Sequence, residues 1–210
     1  VSNSLDNSRK LRIFLLYSDV FCAIISVNIL IGKHNNWGGN SMMNSKQLKR
    51  FITASLMAAF TCFATYIIRI PSPTGYIHPG DSFVILCGVI LGPLYGALSA
   101  GIGSLLADLL AGYPQYAAAT LIIKALTALA ASFLYRCFKR SLLSVIAAGV
   151  AGGILVTLGY FCVEYFMYGF GGALSGVPLN TVQNMFGIVL SAALYPLLNK
   201  IPQVKEFMSE

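Results

Sequence analysis

The sequence predicts an all-α integral membrane protein, a six-transmembrane-helix bundle with a short second helix and a polar extracellular loop between the first two helices. Three observations carry this. The chain of 210 residues is 57% hydrophobic and only 10% charged, with a mean hydropathy of +0.74, whereas soluble domains carry about 25% charged residues. Apolar runs near the ~20 residues needed to cross the hydrocarbon core recur along the chain, separated by short polar or Gly/Pro breaks. Lys and Arg gather at segment ends, as topology signals do. They form no stripe with interleaved aromatics, which sets nucleic-acid binding aside.

Taken in order from Met43, the pattern predicts helices at 46–70, 81–91, 93–111, 116–139, 142–168 and 178–199. The second is too short to cross alone, and Gly92-Pro93 divides it from the third. Lys46, Lys49 and Arg50 precede the first helix, Arg136, Lys139 and Arg140 follow the fourth, and Lys200 and Lys205 follow the sixth. Six crossings put all three clusters on one face, which the positive-inside rule makes cytoplasmic, in a bacterial cell membrane, with both termini inside if translation starts at Met42 or Met43. The connections "PSPTGYIHPGD", "GYPQY" and "GFGGALSGVP" (169–178) then face outward.

Residues 1–42 read as an N-terminal extension apart from a domain at 43–210. The run from Leu11 to Gly32 is apolar enough for a seventh helix, but Asp19 and Asn28 burden it, and its basic flank would lie opposite every other basic cluster. Trp37-Gly38-Gly39 requires guanine-rich codons just upstream of Met42-Met43. This resembles a bacterial ribosome-binding site and predicts that translation starts at Met42 or Met43.

The polar residues inside the spans are organised. The fourth predicted helix carries Tyr116, Thr120, Lys124 and Thr127 on one face, the fifth Tyr160, Glu164 and Tyr168, and the sixth Asn180, Gln183, Asn184, Gly187 and Ser191. An ionisable group in a span costs about 2.5–3.5 kcal/mol, so Lys124 and Glu164 need a partner or a wet cavity, and a ligand pocket is the simplest common destination. A structural alternative pairs Lys124 with Asp108 or Glu164. Asp108 reads equally as structural or functional, since it ends the small-residue stripe Gly96, Ala100, Ser104. Tyr116 and Tyr168 also suit an interfacial belt, and His78 and Asp81 suit a cap of the second helix.

Five cysteines lie one per apolar segment with no C-x-x-C and no neighbouring His, so they read as small packing residues and predict no metal site. No cofactor and no catalytic residue is expected. A membrane enzyme using Glu164, Lys124 or His78 as acid or base is the competing class, and a non-transporting assembly or channel protein a third. The chain lacks a G-x-x-x-x-G-K-[ST] loop, so any use of ATP requires another subunit.

The segment Thr74 to Leu126, "TGYIHPGDSFVILCGVILGPLYGALSAGIGSLLADLLAGYPQYAAATLIIKAL", resembles the substrate-binding S components of energy-coupling factor (ECF) vitamin transporters, in their riboflavin-transporter-like branch. The "HxGD" loop, the "GP" turn, the "GxGSxLAD" helix and "GYPxY" carry the likeness together. The resemblance implies a vitamin or precursor bound near the outer face, with the loop between the first two helices acting as a lid that offers Tyr76 and His78. The expected binding set is Tyr76, His78, Asp81, Tyr116, Thr120, Lys124, Glu164, Tyr168, Asn180 and Asn184. The implied partners are a transmembrane coupling subunit and two ATPases, within the lipid bilayer. The family's A-x-x-x-A docking pattern matches Ala54 and Ala58 in "ASLMA". Riboflavin, a thiamine-related pyrimidine and a pyridoxine-like ring all suit such a pocket.

Overall fold

The structure, a computed structural model, describes residues 45–72 and 75–209, apart from the side chains of 45 and 71–76. The expected N-terminal extension, 1–42, lies outside the described residues. The chain divides into two compact units, 1–52 and 53–210. The opening turns of the first helix are what is described of the former, and all contacts given below belong to the latter.

The elements are α1 (Ser45–Ile67), β1 (Ile70–Ser72), β2 (Gly75–Ile77), α2 (Gly80–Leu91), α3 (Pro93–Ala111), α4 (Pro114–Cys137), α5 (Leu142–Leu198) and α6 (Pro202–Ser209). Four of the described helices, α1, α3, α4 and α5, are long and apolar enough to cross a membrane, and α2 is a shorter apolar helix. Within the loop expected after the first helix, β1 and β2 pair antiparallel, with Ile70 opposite Ile77 and Ser72 opposite Gly75. The short amphipathic α6 was not among the expected elements. It packs on α2 and adds Phe207 and Met208 to the buried apolar core.

Local chemistry sets the boundaries. Gly92 ends α2 at φ 83°, ψ −172°, a region that glycine alone occupies at low cost. A Cβ there would also lie 2.6 Å from the Arg136 guanidinium. Pro93 then opens α3, where a missing N–H costs nothing. Gly112 closes α3 in the left-handed conformation, and Pro114 opens α4. Ser141 and Ser144 form a reciprocal capping box at the start of α5.

The loop expected at 169–178 is helical except at one residue. Gly169 takes φ 75°, ψ −179°, and helix resumes at once on the far side. An unbroken helix of 57 residues would run roughly 86 Å at 1.5 Å per residue, far beyond a bilayer. The break returns the chain along itself instead. Gly149 lies against Ile188, Gly153 against Asn184, and Gly176 against Glu164, so partner numbers fall as the others rise and the two parts of α5 are antiparallel. Pro178 sits inside the second part, as apolar helices tolerate when neighbouring groups meet the freed carbonyl.

Close packing centres on α3. A Cβ at Gly96 would lie 2.6 Å from the Cys87 carbonyl oxygen of α2, at Gly101 2.9 Å from that of Leu121 in α4, and at Gly103 2.4 Å from that of Ala58 in α1. In lipid, helices associate through such contacts because apolar burial gives no net drive between them. The outer surface is strongly apolar, with Phe133, Leu143, Phe166 and Val189 all exposed, as lipid contact requires. Cys62 and Cys87 are buried, as expected of packing residues, whereas Cys137 and Cys162 are exposed.

Candidate functional site

The starts of α2 and α4 and the break in α5 lie at one end of the bundle, because successive helices alternate in direction. Two polar groupings occupy that end.

The first is a closed network. Lys124, 1% exposed, places Nζ 2.5 Å from Asp81 Oδ1. Gln183 Nε2 donates to Asp81 Oδ2 at 2.9 Å, and Gln183 Oε1 accepts from the His78 backbone N–H at 3.2 Å. The partner of Lys124 is therefore Asp81 of α2, and not Asp108 or Glu164, the alternatives read from the sequence. Asp81 does not serve as the side-chain cap expected of it either. Pro79 is the N-cap residue of α2 and makes no side-chain cap bond, while both Asp81 oxygens are engaged across the bundle. A buried carboxylate facing a buried ammonium gains far more than one facing partial helix charges. Gly187 allows the approach, since a Cβ there would lie 3.0 Å from Asp81 Cβ.

His78 precedes α2, and its Nδ1 accepts the Gly80 N–H at 3.1 Å. Burial pushes its pKa down to about 4; Asp81 pulls in the raising direction, and Lys124 adds to the lowering. The imidazole is thus neutral, with its proton on Nε2.

The second grouping is aromatic. Tyr160, Glu164 and Tyr168 lie at successive turns of α5 before the break. The Tyr116 ring of α4 stands 6.3 Å from that of Tyr160 and 6.5 Å from that of Tyr168. It therefore spans the turn that carries Glu164. Thr120 Oγ1 and the Tyr160 hydroxyl are hydrogen-bonded at 2.9 Å, and Lys124 Nζ lies 5.3 Å from the centre of the Tyr160 ring, joining the two groupings by a cation–π contact. Glu164 is buried at 4% exposure, and its Oε2 has no hydrogen-bond partner among the described residues. Gly176 leaves room for it, since a Cβ there would lie 2.1 Å from that oxygen.

The remaining expected residues fall elsewhere. Asn184 gives its amide to the Gly153 carbonyl and Thr157 Oγ1, both at 2.9 Å, so it fastens the two parts of α5. Asn180 is half-buried a turn away on the same helix. Tyr76 belongs to β2, and its side chain lies outside the described residues. Ala54 is buried in the core, and its carbonyl accepts the Ser99 hydroxyl of α3 at 2.9 Å. Ala54 thus packs α1 on α3, and Ala58 of the same expected docking pair stays partly exposed. Gln183 and Tyr160, absent from the expected binding set, prove central. Their place on the same polar stripes as Asn184 and Glu164 was the signal that marks them. Among the described residues no group of His, Cys, Asp and Glu could hold a metal ion.

A lipid-embedded helical bundle that gathers buried charges and tyrosines at one end has the build of a membrane carrier of small polar molecules. The comparisons agree. The family model for the S component of the ECF-type riboflavin transporter matches residues 45–200, and the chain belongs to that family of transport components, which are not enzymes. A protein of Pyrococcus woesei, described only as uncharacterised and in the gap 3′ region, is 38% identical over 141 residues, 65% of this chain and 92% of its own. The thiamine precursor transporter HmpT of Lactococcus lactis subsp. cremoris (strain MG1363) is 29% identical over 162 residues, 76% of this chain and 93% of its own. A solved S component of a bacterial ECF transporter superposes with a TM-score of 0.61 at 27% identity, over 72% of this chain and 96% of its own. The S component for biotin from an ECF-type ABC transporter shares the fold, with a TM-score of 0.51 at 19% identity over 80% of this chain and 100% of its own.

Proposed function

We propose that this chain is the substrate-binding subunit of an ATP-driven ECF-type importer and captures a water-soluble vitamin or vitamin precursor at the outer face of a cell membrane. The observation that carries the reading is the gathering of Tyr116, Tyr160 and Tyr168 on the turns that flank buried Glu164, joined through Tyr160 to the Asp81–Lys124 pair. Aromatic faces with a few fixed polar groups suit a flat, hydrogen-bonding ring. Lipid chains offer no reason for such an arrangement.

In this reading α5 crosses twice by virtue of its break at Gly169, and with α1 to α4 the bundle makes six crossings. The hairpin Ile70–Ile77 is the lid. Its tie to the interior is the His78 N–H to Gln183 bond, which would position it over an occupied site and break when it opens. The basic ends of α4 and α5 then face the cytoplasm. A coupling subunit and two ATPases supply the energy, and α1 meets the coupling subunit along the edge that includes Ala58. The ligand is riboflavin, a pyridoxine-like ring or a thiamine-related pyrimidine.

The test is mass spectrometry of small molecules extracted from the purified protein, together with affinity capture from its native membrane. A bound heteroaromatic ring and co-captured ATPase subunits are expected. A protein that carries no such molecule and captures no ATPase overturns the reading.

A further inference from the structure

The end of the bundle opposite the candidate site is strongly basic. Arg136, Lys139, Arg140, Lys200 and Lys205 lie at the end of α4, in the turns that follow α4 and α5, and in α6, and Glu206 is the acid described beside them. Lys139, Lys200 and Lys205 are exposed, and their side chains enter no ion pair among the described residues.

In the sequence these charges form two separate clusters, and the fold makes them one surface. The Tyr135 and Tyr195 rings meet edge to face at 6.0 Å, with their hydroxyls hydrogen-bonded at 3.1 Å, which sets the end of α4 beside the last turn of α5. The Tyr195 hydroxyl donates in turn to the Arg140 carbonyl at 3.1 Å, and the Arg140 guanidinium donates to the Ser209 carbonyl at the end of α6. Lys139 and Arg140 take φ of 55° and 48°, a left-handed backbone that is costly for residues with side chains and persists only where the surroundings impose it. A topology signal needs charge alone and works from any loop. Two consecutive cationic residues held in a costly conformation point to a use of that charge in the folded protein.

The neighbours of the lysines narrow the occupant. Lys139 follows exposed Phe138 and precedes exposed Leu143, and Lys200 stands between exposed Leu197 and Ile201. Side chains that face lipid tails thus bracket each ammonium group, whose flexible stem carries it to the level of the headgroups. A lipid uses both features, its chains against the apolar rim and its phosphate against the lysines. A free phosphate uses only the second.

We propose that this end of the bundle binds the headgroup of an anionic phospholipid, with Lys139 and Lys200 meeting its phosphate, Lys205 adding to the attraction, and the apolar rim lying along its chains. The surface is separate from the candidate site and independent of what that site binds.

The experiment is native mass spectrometry of the full chain, titrated in detergent with phosphatidylglycerol or with phosphatidylcholine of the same acyl chains. Each basic side chain near an anionic headgroup contributes about fivefold, so phosphatidylglycerol is expected to bind at least about 25-fold more tightly. Lys139→Gln with Lys200→Gln is expected to remove about 25-fold of that affinity and to leave phosphatidylcholine binding unchanged. Lys46→Gln with Lys49→Gln, which removes the same charge from the start of α1, should stay within about twofold of the parent. If the first pair fails to fold, Lys139→Gln and Lys200→Gln singly, each expected to lose about fivefold, take its place. Equal binding of the two lipids overturns the proposal. So does an equal loss in both pairs, which would mean attraction by net charge alone, and so does displacement of the lipid by equimolar glycerol phosphate, which would make a free phosphate the occupant. A parent without lipid preference whose Lys139/Lys200 variant loses a co-captured protein would assign the surface to an acidic protein instead.

Discussion

Asp81 and Glu164 are both carboxylates buried in the apolar bundle, at 3% and 4% exposure, yet their surroundings are opposite. Asp81 has both oxygens engaged, by Lys124 and Gln183, and these bonds join α2, α4 and the second part of α5. Glu164 Oε2 has no hydrogen-bond partner among the described residues and lies among tyrosine rings. The same chemical group thus stands in two settings. Asp81, its acceptors filled from within the chain, ties helices together, and Glu164, with one acceptor open among the described residues, is the group that the proposed function assigns to a ligand. Polarity in a membrane span does not by itself separate these roles; the hydrogen-bond partners do.

The largest effect should come from breaking the closed side of the comparison. Lys124→Met strands the Asp81 carboxylate, and thermal unfolding in detergent should show a loss of about 3–5 kcal/mol. Adding Asp81→Asn should recover most of it, since a neutral amide can still meet Gln183. A double variant as unstable as the single one would mean that the two groups are not coupled.

Glu164→Gln sharpens the contrast. It removes a charge without a matched partner, so the ligand-free protein should melt no lower than the parent, even as ligand affinity falls. A drop comparable to that of Lys124→Met would place Glu164 among the structural groups.

Ala54→Leu probes whether the small residues of α1 serve packing. Ala54 lies in the core against α3, and overfilling that contact should cost about 1–3 kcal/mol of stability. If the variant is as stable as the parent but no longer captures ATPase subunits, Ala54 serves docking and not packing. Asn184→Ala removes the bonds to Gly153 and Thr157, for a smaller loss of about 0.6–1.7 kcal/mol typical of interhelical bonds in membranes. Ligand affinity should change little.

A pH dependence is expected from His78. Its folded pKa of about 4 lies below the ordinary 6.5, so between those values the unfolded chain binds a proton that the folded chain does not. Stability should be flat above pH 6.5 and fall as the pH drops towards 4. Protonation at Nδ1 would also displace the Gly80 N–H. The melting difference between pH 7 and pH 5 should be smaller in His78→Asn than in the parent, and an unchanged difference would mean that His78 is not held neutral.

Much of this was legible in the chain. Helix ends at Gly92-Pro93, Gly112 and Ser141 followed from residue chemistry, since glycine and proline restrict the backbone wherever they occur. The three polar stripes were visible because helical periodicity is a local property. The loop between the last two predicted spans was misplaced for a related reason: "GFGGALSGVP" is rich in loop formers, yet a single glycine at 169 suffices for the reversal, and the helix resumes through the rest.

What the sequence by itself determined was that the chain lives in a membrane, where its glycine- and proline-bounded helices begin and end, and which faces carry polar groups. Composition and short-range periodicity fix these. Pairing was decided by tertiary structure alone. Lys124 had Asp108 and Glu164 as candidates on neighbouring stripes, but its partner is Asp81, 43 positions away, and the second oxygen of Asp81 is held by Gln183 from 102 positions away. Such contacts depend on how closely backbones approach, as at Gly88 of α2, where a Cβ would meet the Ala128 carbonyl of α4, and at Gly187, where one would lie 3.3 Å from the Ser82 nitrogen, a distance set by the summed packing of the bundle and by no local feature of the chain.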